Sequence, residues 1–151
     1  MIVQLALASV LFIFATICAW YEGSEIFYKT FEWNRSTFFS NLNGNVIRSK
    51  DDIHVLDHFV YAAKFKPIFP LLMTFSLAYI LFLVTFLINR NSLKLGKIIR
   101  GILGLFYFAV CILFLNSSTI GGKILLTSCL IIGTIFLIGP RLKSFIKFHQ
   151  R

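Results

Sequence analysis

Residues Leu71–Ile88 read LLMTFSLAYILFLVTFLI, eighteen positions with no side chain charged at neutral pH. A helix rises about 1.5 Å per residue, so a run of this length crosses a hydrocarbon core of roughly 30 Å. Counted from Ile68, the stretch holds fourteen Ile, Leu, Phe or Val residues. They favour insertion by roughly 4 to 8 kcal/mol, with no charge to oppose it. Three further apolar runs complete the pattern, placing spans at about residues 2–20, 67–88, 98–115 and 120–139. The expected class is an all-α integral membrane protein with four transmembrane helices. A small exterior cap, residues 21–66, lies between helices 1 and 2. A hydrophobic fraction of 58% and a mean hydropathy of +0.82 agree, both far above soluble norms. Four such helices in 151 residues leave no room for a separate soluble catalytic domain, so residues 1–151 read as one membrane domain.

The charges say which way the chain faces. All six acidic residues fall between Glu22 and Asp57, where six basic residues balance them across 21–66. The net charge of +9 therefore comes from Lys123 and two basic clusters, Arg90–Arg100 and Arg141–Arg151. Cations massed beside apolar runs are the positive-inside pattern, not a nucleic-acid surface. The expected partner is a bilayer with an anionic inner leaflet, and no nucleic acid. The expected location is the cell membrane, multi-pass, with both termini cytoplasmic and the cap outside. In the tail, 140–151, Arg141, Lys143, Lys147 and Arg151 alternate with Leu142, Phe145, Ile146 and Phe148. Such a segment lies flat on lipid, each cation gaining about 1 kcal/mol from anionic headgroups. It acts either as a topology anchor or as a lipid or partner sensor.

Within the spans only Arg100 and Lys123, both near interfaces, carry charge. Proton and ion paths need charged groups at depth, so a proton-coupled carrier is disfavoured. Polar residues such as Ser9, Thr16, Ser76, Thr85, Thr127 and Thr134 are expected to bond to their own or a neighbouring helix. Gly101 and Gly104, then Ser118 and Gly122, permit close helix contact. Pro67 and Pro70 suit a helix start, or a bend where an external helix meets the membrane. Asn116–Thr119 is a short polar turn that makes spans three and four an antiparallel hairpin, and Pro140 ends the last.

In the exterior segment, Ser36–Gly44 fits a short helix capped by Ser36, or a hairpin turning on Asn43-Gly44. Ser49 begins a second helix, with Asp51 and Asp52 at its positive end and Ile53, Leu56, Phe59 or Val60, and Ala63 on one face.

At the first exit the chain reads Ala19-Trp20-Tyr21-Glu22-Gly23-Ser24-Glu25. This resembles the A-S-W-Y-E-G-S signature of the YjdJ-like family of small bacterial membrane proteins. Cys18 stands where the signature's neighbouring small residues would be. The resemblance implies location and topology, and no reaction. Physically, Trp20 and Tyr21 anchor the helix end at the headgroups, and Gly23 allows a tight turn. Glu22 either pairs with Lys64 or Lys66 or is solvated.

The sharpest chemical candidate is His54-Val55-Leu56-Asp57-His58. Histidines at i and i+4 share a helical face, the spacing used for zinc, and Asp57 is adjacent. A third ligand would have to come from Glu22, Glu25 or Glu32. The plainer reading is a polar helix face, and His58 also suits a pH sensor. Cys18, Cys111 and Cys129 lie in apolar runs without metal spacing and read as small buried hydrophobes. No cofactor is expected. Residues 2–20 read as a retained span rather than a cleaved signal. The functional expectation is a non-enzymatic structural, interaction or accessory protein, with a membrane-protein partner or as a homo-oligomer. The alternatives are a metal-binding protein or metal-dependent enzyme on His54, Asp57 and His58, and an oligomeric pore.

Overall fold

The computed structural model describes residues 1–42 and 49–149. Its long helices are α1 (Ile2–Gly23), α5 (Ile68–Asn91), α6 (Leu93–Ile112) and α7 (Ile120–His149). Between α1 and α5 lie 3-10 turns at Ser24–Tyr28 and Thr30–Glu32, then α2 (Trp33–Ser36) and α3 (Phe38–Leu42). A third 3-10 turn, Lys50–Asp52, precedes α4 (Val55–Phe65). No strand occurs among the described residues. The protein is all-α, with four helices long and apolar enough to cross a membrane.

Helices α1 and α5 are built largely inside out by the standards of a water-soluble protein. On α1 the buried positions are Ala8, Ala15, Ala19 and Gly23, whereas Ile2, Leu7, Val10, Ile13, Phe14 and Ile17 point outward. On α5, Thr74, Ser76 and Thr85 are buried while Phe75, Phe82 and Phe86 are exposed. Lipid is as apolar as leucine, so burying large side chains gains little there. Small residues that let backbones approach hold such helices together. The buried hydroxyls need no partner helix. Thr74 donates to Pro70 O at 2.7 Å, Ser76 to Leu72 O at 2.7 Å and Thr85 to Leu81 O at 2.6 Å. Ser9, Thr16, Thr127 and Thr134 likewise bond to their own helices.

The most extensive packing is α1 along α5 and α6 along α7, with α5 joining the two pairs. The α6–α7 crossing runs through Gly104, where a Cβ would lie 2.7 Å from Leu137 Cγ and 3.2 Å from Gly133 O. Gly101 faces open space. Gly122 lies against Ser117 and Thr119 of the turn before α7, not against another span. Tyr107, Cys111, Cys129, Ile132 and Phe136 form the core between α6 and α7, with Ala78 and Leu81 of α5 packed on it.

Several boundaries differ from the sequence reading. The third long helix starts at Leu93, because the Ser92 hydroxyl caps it by accepting from Leu95 N at 3.4 Å. Lys94 and Lys97 therefore ride on the helix rather than in a loop before it. Helix α7 continues past Pro140 to His149. Proline removes only its own N–H, a loss tolerated in membrane helices where other groups satisfy the freed carbonyl. The proline pair marks a helix start. Pro67 sits at the N-cap of α5 and Pro70 in its first turn, while only Lys66 and Pro67 separate α4 from α5.

Candidate functional site

The residues singled out by sequence converge on the cap, and α4 is its organising element. It is gripped by glycines at both ends. A Cβ on Gly23 would lie 2.6 Å from His58 C and 2.9 Å from His58 Cα, so α1 meets the α4 backbone directly. A Cβ on Gly121 would lie 2.6 Å from Lys64 O and 2.8 Å from Ala63 O, so the start of α7 abuts the end of α4. Ala63 also joins Phe114 and Leu125 in a small apolar core that ties the cap to the α6–α7 hairpin. The tight turn expected at Gly23 is absent. Its φ of −66° and ψ of −25° are helical, and Ser24 continues in a 3-10 turn. Glycine is needed there for the close approach, not for an unusual dihedral.

A second anchor is Asp57, fully buried on α4. Its carboxylate accepts from Phe39 N at 2.8 Å, Ser40 N at 2.9 Å and the Ser40 hydroxyl at 2.5 Å. The Ser40 hydroxyl in turn accepts from His54 N at 2.8 Å. Hydrogen bonds to an ionised group are about twice as strong as neutral ones. This set pins α3 and the start of α4 together. The helix expected from Ser49 is accordingly two elements. Asp52 folds back to bond Ser49 N at 2.9 Å and Ser49 Oγ at 3.1 Å, closing a 3-10 capping box. Ile53 is extended, and α4 begins only after His54. Ser36, expected as an N-cap, closes α2 by donating to Glu32 O. The alternative hairpin on Asn43-Gly44 lies outside the described residues.

The structure separates the proposed metal ligands. His54 is the N-cap residue of α4, its Nδ1 accepting from Leu56 N at 3.2 Å. The Asp57 carboxylate is saturated by α3. His58, 4% exposed, stacks on Trp20 with ring centroids 6.2 Å apart and meets Phe27 edge-on at 4.8 Å. No group of three His, Cys, Asp or Glu residues suited to a metal occurs among the described residues.

Both His58 ring nitrogens are buried without a hydrogen-bond partner. Burial pushes its pKa below the usual imidazole value, against the opposing pull of the Asp57 charge. Nearby, Ile26, Ile53 and Tyr61 form the apolar heart of the cap with Phe27, Trp33 and Phe65, and Trp33 Nε1 donates to Ile26 O at 2.7 Å. Burial and then the Glu32 carboxylate push the Tyr61 phenol above its ordinary range. Even so, no hydrogen bond of ordinary geometry reaches its Oη, nor Glu22 Oε2 or Glu32 Oε2. The ion pair at the entry of α5 is Lys66 with Glu25, where the sequence leaves Glu22 either paired with Lys64 or Lys66 or solvated. The pair lowers the Glu25 pKa and raises that of Lys66. Three residues of α1 and its 3-10 extension, Trp20, Gly23 and Glu25, thus each contact α4 or the residue following it. Tyr21 stays largely exposed, as an interfacial anchor would. The side chains of Arg141, Lys143 and Lys147 lie outside the described detail, as does Arg151.

The family described as Domain of unknown function (DUF4306) matches residues 2–89, which take in α1, the cap, α4 and nearly all of α5. The chain belongs to this family. It is also 37% identical over 97 residues to "Uncharacterized protein YjdJ" of Bacillus subtilis (strain 168), an alignment covering 61% of this chain and 89% of that protein. No solved structure matches. The α6–α7 hairpin lies beyond the family match.

Proposed function

We propose that this chain is a non-enzymatic interaction protein of the bacterial cell membrane. It crosses four times with both termini in the cytoplasm, and holds the cap rigidly outside as a docking platform. One observation carries this reading: the cap buries Asp57, His58 and Tyr61 yet leaves large apolar side chains outside. Phe31 is 99% exposed, Tyr28 81% and Leu42 67%. Exposed apolar side chains on a segment that also builds its own core suit an interaction surface. Lys50 over the Tyr28 ring, 4.5 Å from its centroid, adds a cationic rim. The family match covers this module as far as α5, and it brings no reaction with it.

The test is a photo-crosslinking amino acid at position 31 in native membranes. The proposal expects a discrete protein adduct, lost when Tyr28 and Leu42 are changed to Ser. Lipid adducts alone would contradict it.

A further inference from the structure

At the end of the bundle opposite the cap, α5, α6 and α7 enclose a groove of about 490 Å³, a volume typical of small-molecule sites. Helix α5 separates the two ends by roughly 36 Å for its 24 residues. The groove has a charged mouth and an apolar interior. Arg90, Lys97 and Arg100 line one part of it. Phe86 and Phe82, one and two turns back along α5 from Arg90, line the other with Ile135. These three apolar side chains are exposed, so the groove opens sideways toward lipid.

Arg100 is held in a built position. Its Nε donates to Gly96 O at 3.2 Å, and the Asn89 amide oxygen accepts from both Nη atoms at 3.1 and 3.2 Å once turned toward them. Gly96 makes this possible, because a Cβ there would lie 2.7 Å from Asn89 Cγ. These bonds leave two of the five guanidinium N–H groups free to donate. No protein carboxylate can meet them, since every acidic side chain of the chain lies between Glu22 and Asp57, at the other end. Three cations thus converge on a groove with no anion of its own.

We propose that this groove binds an anionic glycerophospholipid. Its phosphate sits among Arg90, Lys97 and Arg100, and its proximal acyl chain lies against Phe82, Phe86 and Ile135. A free phosphate would use the cations alone and leave the apolar wall idle.

The test is native mass spectrometry of the full chain in neutral detergent, titrated with phosphatidylglycerol or phosphatidylcholine. The proposal expects tighter retention of phosphatidylglycerol, weakened about fivefold by Lys97→Gln and on the order of a hundredfold by Arg90→Gln, Lys97→Gln and Arg100→Gln together. Lys97 is exposed, so its variant folds whatever happens to the triple change. Phe82→Ala with Phe86→Ala should also weaken the adduct. Glycerol phosphate should fail to displace it. The proposal is overturned if Lys97→Gln leaves retention unchanged, if neutralising Arg141 and Lys143 abolishes the preference instead, or if glycerol phosphate competes fully.

Discussion

The cap end and the basic end of this bundle handle charge in opposite ways. At the cap, Asp57 is saturated by Phe39 and Ser40, and Lys66 meets Glu25. At the other end Arg90, Lys97 and Arg100 gather without any acidic side chain. Close approach differs in kind. Gly23 lies tight against the α4 backbone, whereas at the basic end Gly96 meets the Asn89 side chain and Gly101 of the same helix faces open space. The lipid site proposed above would account for this asymmetry, with anionic headgroups supplying at one face the counter-ions that the protein supplies for itself at the other.

The largest effect that can break this contrast is at Gly23. Gly23→Val is expected to destabilise the cap by about 3 kcal/mol or more, because the obstructing atoms are His58 backbone that cannot swing aside. Gly101→Val should change thermal stability in detergent by less than about 1 kcal/mol. Equal losses would erase the distinction between a closed end and an open one.

Next comes Asp57→Asn, expected to cost about 2 to 3 kcal/mol and to expose α3 (Phe38–Leu42) to protease, since two backbone donors and a hydroxyl lose a charged acceptor. Arg100→Gln in the same detergent should change the melting free energy far less, because the bonds Arg100 makes within the protein go to the neutral acceptors Gly96 O and Asn89.

A smaller, pH-dependent effect sharpens the picture. The His58 pKa is depressed by burial, so the unfolded chain binds more protons than the folded one. Stability is full above the ordinary imidazole value of 6.5 and declines as pH falls through and below it toward the folded pKa. Thermal unfolding followed by fluorescence of Trp20, which stacks on His58, should show that decline, and His58→Phe should flatten it. A decline that survives the substitution would assign it to other groups. The smallest change is expected from Glu25→Gln. The Glu25–Lys66 pair is partly exposed, so its contribution should vanish at high salt.

These contrasts also mark what the sequence could reveal. Span number, the hairpin at Asn116–Thr119 and the family were legible, because length, charge and a seven-residue motif are local signals. The role of Gly23 was not, because the α4 backbone it touches is thirty-five residues away. His54 and Asp57 looked like metal ligands by spacing alone. The bonds of Asp57 to Phe39 and Ser40, and of His54 N to Ser40, join residues fourteen to eighteen apart, which periodicity does not encode. The choice of Glu25 over Glu22 for Lys66 follows from the 3-10 turn after Gly23, which the motif did not announce. The groove around Arg100 rests on an Asn89–Gly96 contact between helices that reads as ordinary sequence in both.

The account rests on the two ends lying on opposite sides of a membrane. Single cysteines replacing Phe31 and, separately, Ser144, in a chain whose three native cysteines are changed to Ala, can be challenged in intact cells with a membrane-impermeant maleimide. The account predicts that position 31 is labelled at once and position 144 only after permeabilisation. Labelling of position 144 from outside, with position 31 protected, would contradict it.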